Sequence, residues 1–534
     1  MKRRHFLHST AAFAGALSLP LAARAQSRPK DVLIVANETG PNSLDIHTVG
    51  ANRPSYGVSW LVYDRLMTFG TKKLPDGTVT YDYTKLEPEL AESWLLSGTG
   101  DSIIFRLRRD AKFHDGTPVT ARDVKWSFDR AVTVGGFPTF QMKAGSLEKP
   151  EQFTAVDDHT FRIDFLRKDK LTLMDLAVPV PSIFNSELVK KNATPQDPWG
   201  LNWTRTNTAG GGAFKIEAFR PGQEIVYVRN EDWKSGKLPQ LRRVIQREVP
   251  SAGNRRALLS KGDIDMTFEM PPKDFAEMAR EGGAVRVVSM PIENSIWYLG
   301  MNVTKPPFDN PKVRQAVAYA VPYEAIMSNA MYGRATKMWG AKGKATTAAW
   351  PQPAPYATDP ARAKKLLAEA GYANGFETTL SFDLGQGTVS EPAAILIQES
   401  LAKLGIKTQI NKVPGANWRA ALLKKDMPLI INRFGGWLNY PEYFFFWCYH
   451  GQNAVFNTMS YQNPAMDKLI DAARFETNPK KYEADVKAFI DMAYAEVPRI
   501  PLAQPNYDVA MQKNVQGYVY WFHLQPDYRT IFKT

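Results

Sequence analysis

One nine-residue segment, Gly435-Gly436-Trp437-Leu438-Asn439-Tyr440-Pro441-Glu442-Tyr443, concentrates residue types that recognise small molecules. Adjacent glycines let backbone approach a bound molecule closely. Trp437, Tyr440 and Tyr443 offer flat apolar faces with a polar tip. Asn439 can donate and accept hydrogen bonds, and Glu442 adds a charge. Just upstream, Arg433 presents a guanidinium fork that suits a carboxylate or phosphate, or equally a structural ion pair. This is chemistry for holding a molecule. Chemistry for transforming one is harder to find. Beyond the first 25 residues the histidines are His47, His114, His159, His450 and His523, and no two stand at metal-ligand spacing. There is no CxxC, HExxH or G-x-S-x-G string, and Gly210–Gly212 lacks the Lys-Ser/Thr of a phosphate loop. Carboxylates are plentiful, so a secreted hydrolase with a paired-carboxylate site stays open as an alternative, although no pair stands out. The residues imply no enzyme, no cofactor and no metal.

The elements around the segment explain its position. Asp359-Pro360 starts a helix that Gly371 stops. Thr378–Leu384 reads as a strand, and Ser390 caps a helix ending at Gly405. Ile406–Val413 is the next strand, Ala416–Lys425 a short helix and Leu429–Phe434 a third strand. Such β-α-β-α-β alternation implies parallel strands with right-handed crossovers. Ligands of such sheets bind beyond the carboxyl ends of the strands, which is where Gly435–Tyr443 lies. Earlier in the chain, Asp31–Asn37, Ser102–Arg108 and 159–166 read as strands, and further strands fall near Phe214–Phe219 and Glu224–Arg229. Tyr56–Met67 reads as a helix, and Thr120 caps another with Asp123 in its first turn. Residues 71–84 read as polar and turn-rich. The Pro-rich stretches 350–355 and 498–505 read as loops or crossovers. No internal repeat or low-complexity tract is evident.

Composition narrows the setting. Met1-Lys-Arg-Arg-His-Phe-Leu, an Ala/Leu/Ser-rich run and Ala23-Arg24-Ala25 read as an export signal cleaved near Ala25-Gln26. Arg3-Arg4-x-Phe6-Leu7 resembles a twin-arginine address. The remaining 509 residues suffice for two or three domains, and an apolar content of 44% supports real cores. No later run is long and apolar enough to span a bilayer, so a soluble, periplasmic, monomeric chain is expected. The formal charge is +13, and four of the basic residues lie in the signal, which leaves +9 on the remainder. Lys and Arg are dispersed among acids rather than gathered with aromatics, so no nucleic acid partner is implied. Cys448 is the single cysteine, so no intramolecular disulfide can form, and its aromatic neighbours imply a buried thiol.

Several longer strings are more specific. They include Leu86–Trp94 (LEPELAESW), Phe105–Arg108, Lys112–Val124 (KFHDGTPVTARDV) and Asn302–Val321 (NVTKPPFDNPKVRQAVAYAV). Tyr332–Ala335, Ala361–Tyr372, Gly210–Arg229 and Leu258–Asp265 extend the set. Over nearly all of the mature chain these resemble the extracytoplasmic solute-binding proteins of the oligopeptide/dipeptide family, which serve ABC importers. The resemblance implies an α/β, bilobal, periplasmic-binding-protein-like fold with an extra subdomain. It implies a first lobe from 26–70, 205–290 and 505–534, a subdomain at 71–204 and a second lobe at 291–504. It implies a small-molecule solute and ABC transporter permease subunits as partners, with hinge closure over the solute; a ligand-presenting sensory role is the variant within binding proteins. It also points to cleft-facing residues in the turn after the first strand (Glu38, Thr39, Asn42), with Tyr298 and Asn302 near the lobe crossover.

One departure from the family pattern bears on the ligand. Peptide-binding members typically carry Trp-x-x-Asp-Tyr-x-Asp/Glu-Pro here, and the first acid pairs with the peptide's α-amino group. In this chain the segment is one residue shorter, and Asn439 stands where that acid is expected. A neutral amide cannot neutralise an ammonium group in a closed cleft, and the unpaired charge would cost several kcal/mol. Ordinary peptides are therefore expected to bind poorly unless Glu442 takes the role. A peptide-like, opine-like or saccharide solute suits the rings and the amide better.

Overall fold

The computed structural model describes residues 29–291, 295–336, 355–438, 440–453 and 456–534. The stretch read as an export signal, residues 1–25, lies outside the described residues. Strand Val32–Asn37 alternates toward a buried face and pairs in parallel with Arg243–Glu248 and with Met266–Phe268. Around it grows a twelve-stranded sheet that runs through both lobes. In the second lobe Glu377–Asp383 pairs in parallel with Lys407–Val413 on one side and Leu429–Gly435 on the other. Helices Gly387–Ala402 and Gly415–Lys424 supply the crossovers, as the alternation requires. Ser295–Met301 joins Leu429–Gly435 antiparallel.

The lobes are stitched together by one long strand, Arg499–Gln512. Its first part pairs with Ser295–Met301, and its second part with Met266–Phe268 and Val285–Pro291. Of the two readings of 498–505, loop or crossover between lobes, the structure shows the crossover, made as a strand. Proline has no N–H for a ladder, but Pro501 lies opposite Tyr298, where the pairing register shifts between Trp297 and Tyr298.

A separate four-stranded antiparallel sheet, in the order Ala91–Leu96, Ser102–Leu107, Thr160–Asp164, Phe153–Asp157, forms the extra subdomain. Helix Ala121–Thr133 packs on it, started by the Thr120/Asp123 capping box. Phe105, Phe128 and Phe161 are fully buried there, each contributing roughly 1.5–3 kcal/mol. Leu299, Val317, Leu380, Phe382 and Ile397 form the core of the second lobe.

Four other expectations shift. Residues 71–84 are not irregular: Met67–Lys73 and Val79–Pro88 form an antiparallel pair around Asp76-Gly77, where Gly77 takes φ +88°. The helix read as Tyr56–Met67 runs instead over Arg53–Val62, because Asn52 caps it, Pro54 opens it and Tyr63 is extended. Ser390 is not a cap but a buried residue inside Gly387–Ala402. Finally, Pro441–Cys448 is a helix whose eight residues are all buried, so Glu442 and Tyr443 sit in its first turn rather than on a loop.

Candidate functional site

The strand Leu429–Gly435 ends at a cavity of about 170 Å³ between the lobes. Each wall comes from a different element. Helix Arg53–Val62 brings Arg53 and Tyr56. Helix Gly136–Ala144 of the subdomain brings Phe137 and Gln141. The second lobe adds Arg419 from a crossover helix, Arg433, Phe434 and Gly435 from the strand, Trp437 from the loop, Tyr443 and Trp447 from the buried helix, and Phe456.

The apolar walls interlock across the gap. The Trp437 indole meets Tyr56 edge-on at 5.2 Å and Phe137 at 5.1 Å between ring centroids, and Tyr56 and Phe137 stack on each other at 5.9 Å. Such pairs add about 0.5–1.5 kcal/mol each beyond the area they bury. Tyr443 donates its hydroxyl hydrogen to Gln141 Oε1 at 3.0 Å, and Gln141 Nε2 donates to Asp175 Oδ1 at 2.5 Å. Burial pushes the Asp175 carboxyl up to about 8, and the nearby charge of Asp169 adds to the rise.

The polar walls are cationic. Arg433 Nε donates to Ser295 Oγ at 3.0 Å, and Ser295 in turn donates to the Phe434 carbonyl. Its Nη2 is sealed from solvent and has no hydrogen-bond partner among the described residues. Burial, and then the nearby Arg53, draw Arg433 down to about 10, so it stays charged at neutral pH. Arg53 reaches over Gly435, and its guanidinium nitrogens lie 3.7 and 4.0 Å from the place a Cβ would occupy there. Arg419 lies 5.9 Å from the Phe456 ring centre. Among the described residues no carboxylate lines the cavity.

Of the residues singled out from sequence, Arg433, Gly435, Trp437 and Tyr443 meet at this cavity. Gly436 stands behind it, where a Cβ would come within 3.1 Å of the Tyr443 ring. Tyr440 turns toward Tyr83 at 6.3 Å. Asn439, on which the amine argument turns, lies outside the described residues. Glu442 is fully buried away from the cavity: it accepts from the Tyr482 hydroxyl at 2.7 Å and sits 3.4 Å from Lys170 Nζ. It is committed there and is not placed to receive a ligand amine. Tyr298 is bound to Thr458 and Asn432, and Asn302 to Lys425 and Thr304, so both serve local structure. Asn42 pins the Gly50 carbonyl, Thr39 is exposed, and Glu38 faces Arg255 at 3.9 Å. Cys448 is buried with its thiol pushed up to about 11 by burial.

Sequence reasoning missed Arg53, Tyr56, Phe137, Gln141, Arg419, Trp447 and Phe456. They come from five separate stretches, and only Arg53 and Tyr56 carried a local signal, the Asn52 cap and Pro54 of their helix. Among the described residues no helix is long and apolar enough to cross a membrane.

Residues 85–456 match the profile of the family described as bacterial extracellular solute-binding proteins, family 5 Middle. The chain belongs to that family. Among family 5 relatives, the probable D,D-dipeptide-binding periplasmic protein DdpA of Escherichia coli K12 is 29% identical over 92% of each chain. The heme-binding protein A of Haemophilus influenzae is 31% identical over 86% of this chain and 84% of its own. The solved structure of AgaA from A. tumefaciens R10 in complex with agropinic acid superposes with a TM-score of 0.78 at 26% identity, covering 94% of this chain and 99% of that one. DppA from Helicobacter pylori, in complex with the peptide STSA, gives a TM-score of 0.79 at 23% identity over 94% and 98%, and shares the fold. The protein is thus a solute-binding receptor of the kind that serves ABC importers from the periplasm, and its relatives are binding proteins rather than enzymes.

Proposed function

We propose that this family 5 receptor captures a small polar solute carrying a carboxylate or an equivalent anion, closing its lobes over it for delivery to ABC transporter permease subunits. The observation that carries this reading is the sealed Nη2 of Arg433 at the end of the sheet, without a hydrogen-bond partner among the described residues, at a cavity that no described carboxylate lines. A carboxylate there would give that buried nitrogen an acceptor. Trp437, Tyr56 and Phe137 would hold the body of the solute by stacking. An opine-like acid fits, and the complex of AgaA with agropinic acid lends support. Peptides with a free amine fit less well, because Glu442 is occupied by Lys170 and Tyr482 and Asn439 carries no charge. In this reading the lobes follow the division expected from sequence, the 71–204 subdomain closes with the first lobe, and the mature chain begins at Gln26 after export.

Calorimetry on ligand-stripped protein tests the proposal with agropinic acid and Ala-Ala as probes. The acid should bind and the dipeptide should bind at least tenfold more weakly. Arg433→Gln should weaken the acid by about 2–5 kcal/mol, or 30-fold and more. Equal or tighter binding of Ala-Ala, or an affinity indifferent to Arg433→Gln, overturns it. Mass spectrometry of solute co-purified with the native protein would name the ligand.

A further inference from the structure

Arg433 is not the sole cation at the cavity. Arg53, Arg419 and Arg433 reach it from three elements and from both lobes. Elsewhere several buried arginines meet carboxylates. Arg65 meets Glu89 at 2.6 Å, Arg130 meets Asp45 at 2.6 Å and Arg474 meets Asp169 at 3.0 Å. Among the described residues none of the three cavity arginines has a carboxylate within ion-pair distance, although each lines the same small space. Arg53 also opens the helix Arg53–Val62, so its charge sits at the positive end of the backbone dipole. Arg53 and Arg433 are half-buried and Arg419 is exposed; like charges gathered in one space repel, and an anion that joins them relieves the repulsion. A single carboxylate has two oxygens and can engage one guanidinium fork fully. Three forks call for more acceptors and more charge.

Resting on the anionic-solute reading above, we propose that the cavity is built for a compact group carrying two negative charges, a phosphomonoester or phosphonate or a pair of adjacent carboxylates, bridged by Arg53 from one lobe and Arg419 and Arg433 from the other. The dianion then does more than fill the site. It is the counter-charge that lets arginines of opposite lobes approach, so closure is coupled to the ligand's charge. The Arg53 guanidinium lies beside Gly435, its nitrogens 3.7 and 4.0 Å from the place a Cβ would occupy. The surrounding rings would hold an aromatic or sugar body beside the charged head.

Three small probes sharing one ring test this: phenyl phosphate, phthalate and benzoate, titrated calorimetrically into ligand-stripped protein at pH 7.5. Phenyl phosphate is doubly charged there, its second ionisation lying near pH 6. At least one of the two dianions should bind ten times more tightly than benzoate or better, and which of the two does so separates a phosphoryl group from paired carboxylates. Arg53→Gln and Arg419→Gln should each weaken the preferred dianion at least tenfold more than they weaken benzoate, with Arg53→Lys recovering part of the loss. Melting temperatures of the ligand-free variants establish that they are folded. Equal affinity for all three probes, or a preference untouched by both glutamine variants, overturns the dianion while leaving a single-anion solute standing. Failure of every anionic probe beside binding of a neutral sugar such as glucose overturns both readings.

Discussion

The two lobes touch along two seams, and the seams treat charge in opposite ways. At the cavity, three arginines share one space, and no described acid lines it. At the other seam, where the subdomain meets helices Pro441–Cys448 and Pro464–Phe475, Arg474 and Lys170 each face an acid. Arg474 pairs with Asp169 and also donates to the carbonyls of Lys143 and Ala144. Lys170 donates to the Ala473 carbonyl, lies 3.6 Å from the Tyr482 ring centre and faces Glu442. A wider groove of about 270 Å³ runs beside this seam, but its Asp169 and Arg474 already satisfy each other. The lesson is that size does not mark the site. The smaller cavity is where bonding capacity is left unspent, and the larger groove is where it has been used to hold the lobes together.

The sharpest way to break this contrast is Arg474→Ala. It leaves Asp169 fully buried without its counter-charge, so the closed form should lose about 3–5 kcal/mol, read from urea unfolding of the solute-bound protein. A loss below about 1 kcal/mol would mean that the matched seam holds little and that the contrast is only apparent. Trp437→Ala acts on the other seam. Removing the indole that meets both Tyr56 and Phe137 should cost about 2 kcal/mol of solute affinity, roughly 30-fold in Kd, with Trp437→Phe losing less. An unchanged Kd in the alanine variant would show that the solute does not use the aromatic wall.

Asp175 sharpens the comparison because it stands between the seams. It accepts from Gln141 on the cavity side and feels the charges of Asp169 and Arg474 on the other. Its carboxyl is raised from 3.8 to about 8 in the folded protein, so the native state holds a proton that the unfolded chain releases. Stability from this group is therefore greatest in acid and falls as pH rises from about 4 to about 8. Asp175→Asn keeps an acceptor for Gln141 and removes the titration. It should flatten that part of the stability profile and raise stability at pH 8 by roughly 2 kcal/mol, measured by denaturation at pH 5 and pH 8. Parallel profiles for the two proteins would contradict it.

What the sequence revealed follows from how local each signal is. Thr120 and Asp123 announced a helix start that the structure reproduces, and the alternating pattern before Gly435 placed the parallel strands and the end of the sheet where the cavity lies. The helix Pro441–Cys448 escaped notice because it is apolar on every side, so no amphipathic period exists to detect. That same error put Glu442 on a loop facing solute, when helical geometry turns it toward Lys170. Arg53 and Arg419 are separated from Arg433 by hundreds and by fourteen positions respectively, and only the folding of both lobes brings them to one space. Pro501 argued against a strand, but a register shift there relieves the ladder of the missing donor.

The strand Arg499–Gln512 has a bearing on how this receptor can be taken apart. Because one continuous stretch of backbone zips into both halves, neither half owns a finished border at that place. A fragment cut at the crossover would carry Ser295–Met301 or Met266–Phe268 as a raw edge, open to pairing with another copy. Engineering a minimal sensor from a single lobe would therefore yield a sticky fragment unless that borrowed strand were supplied in trans.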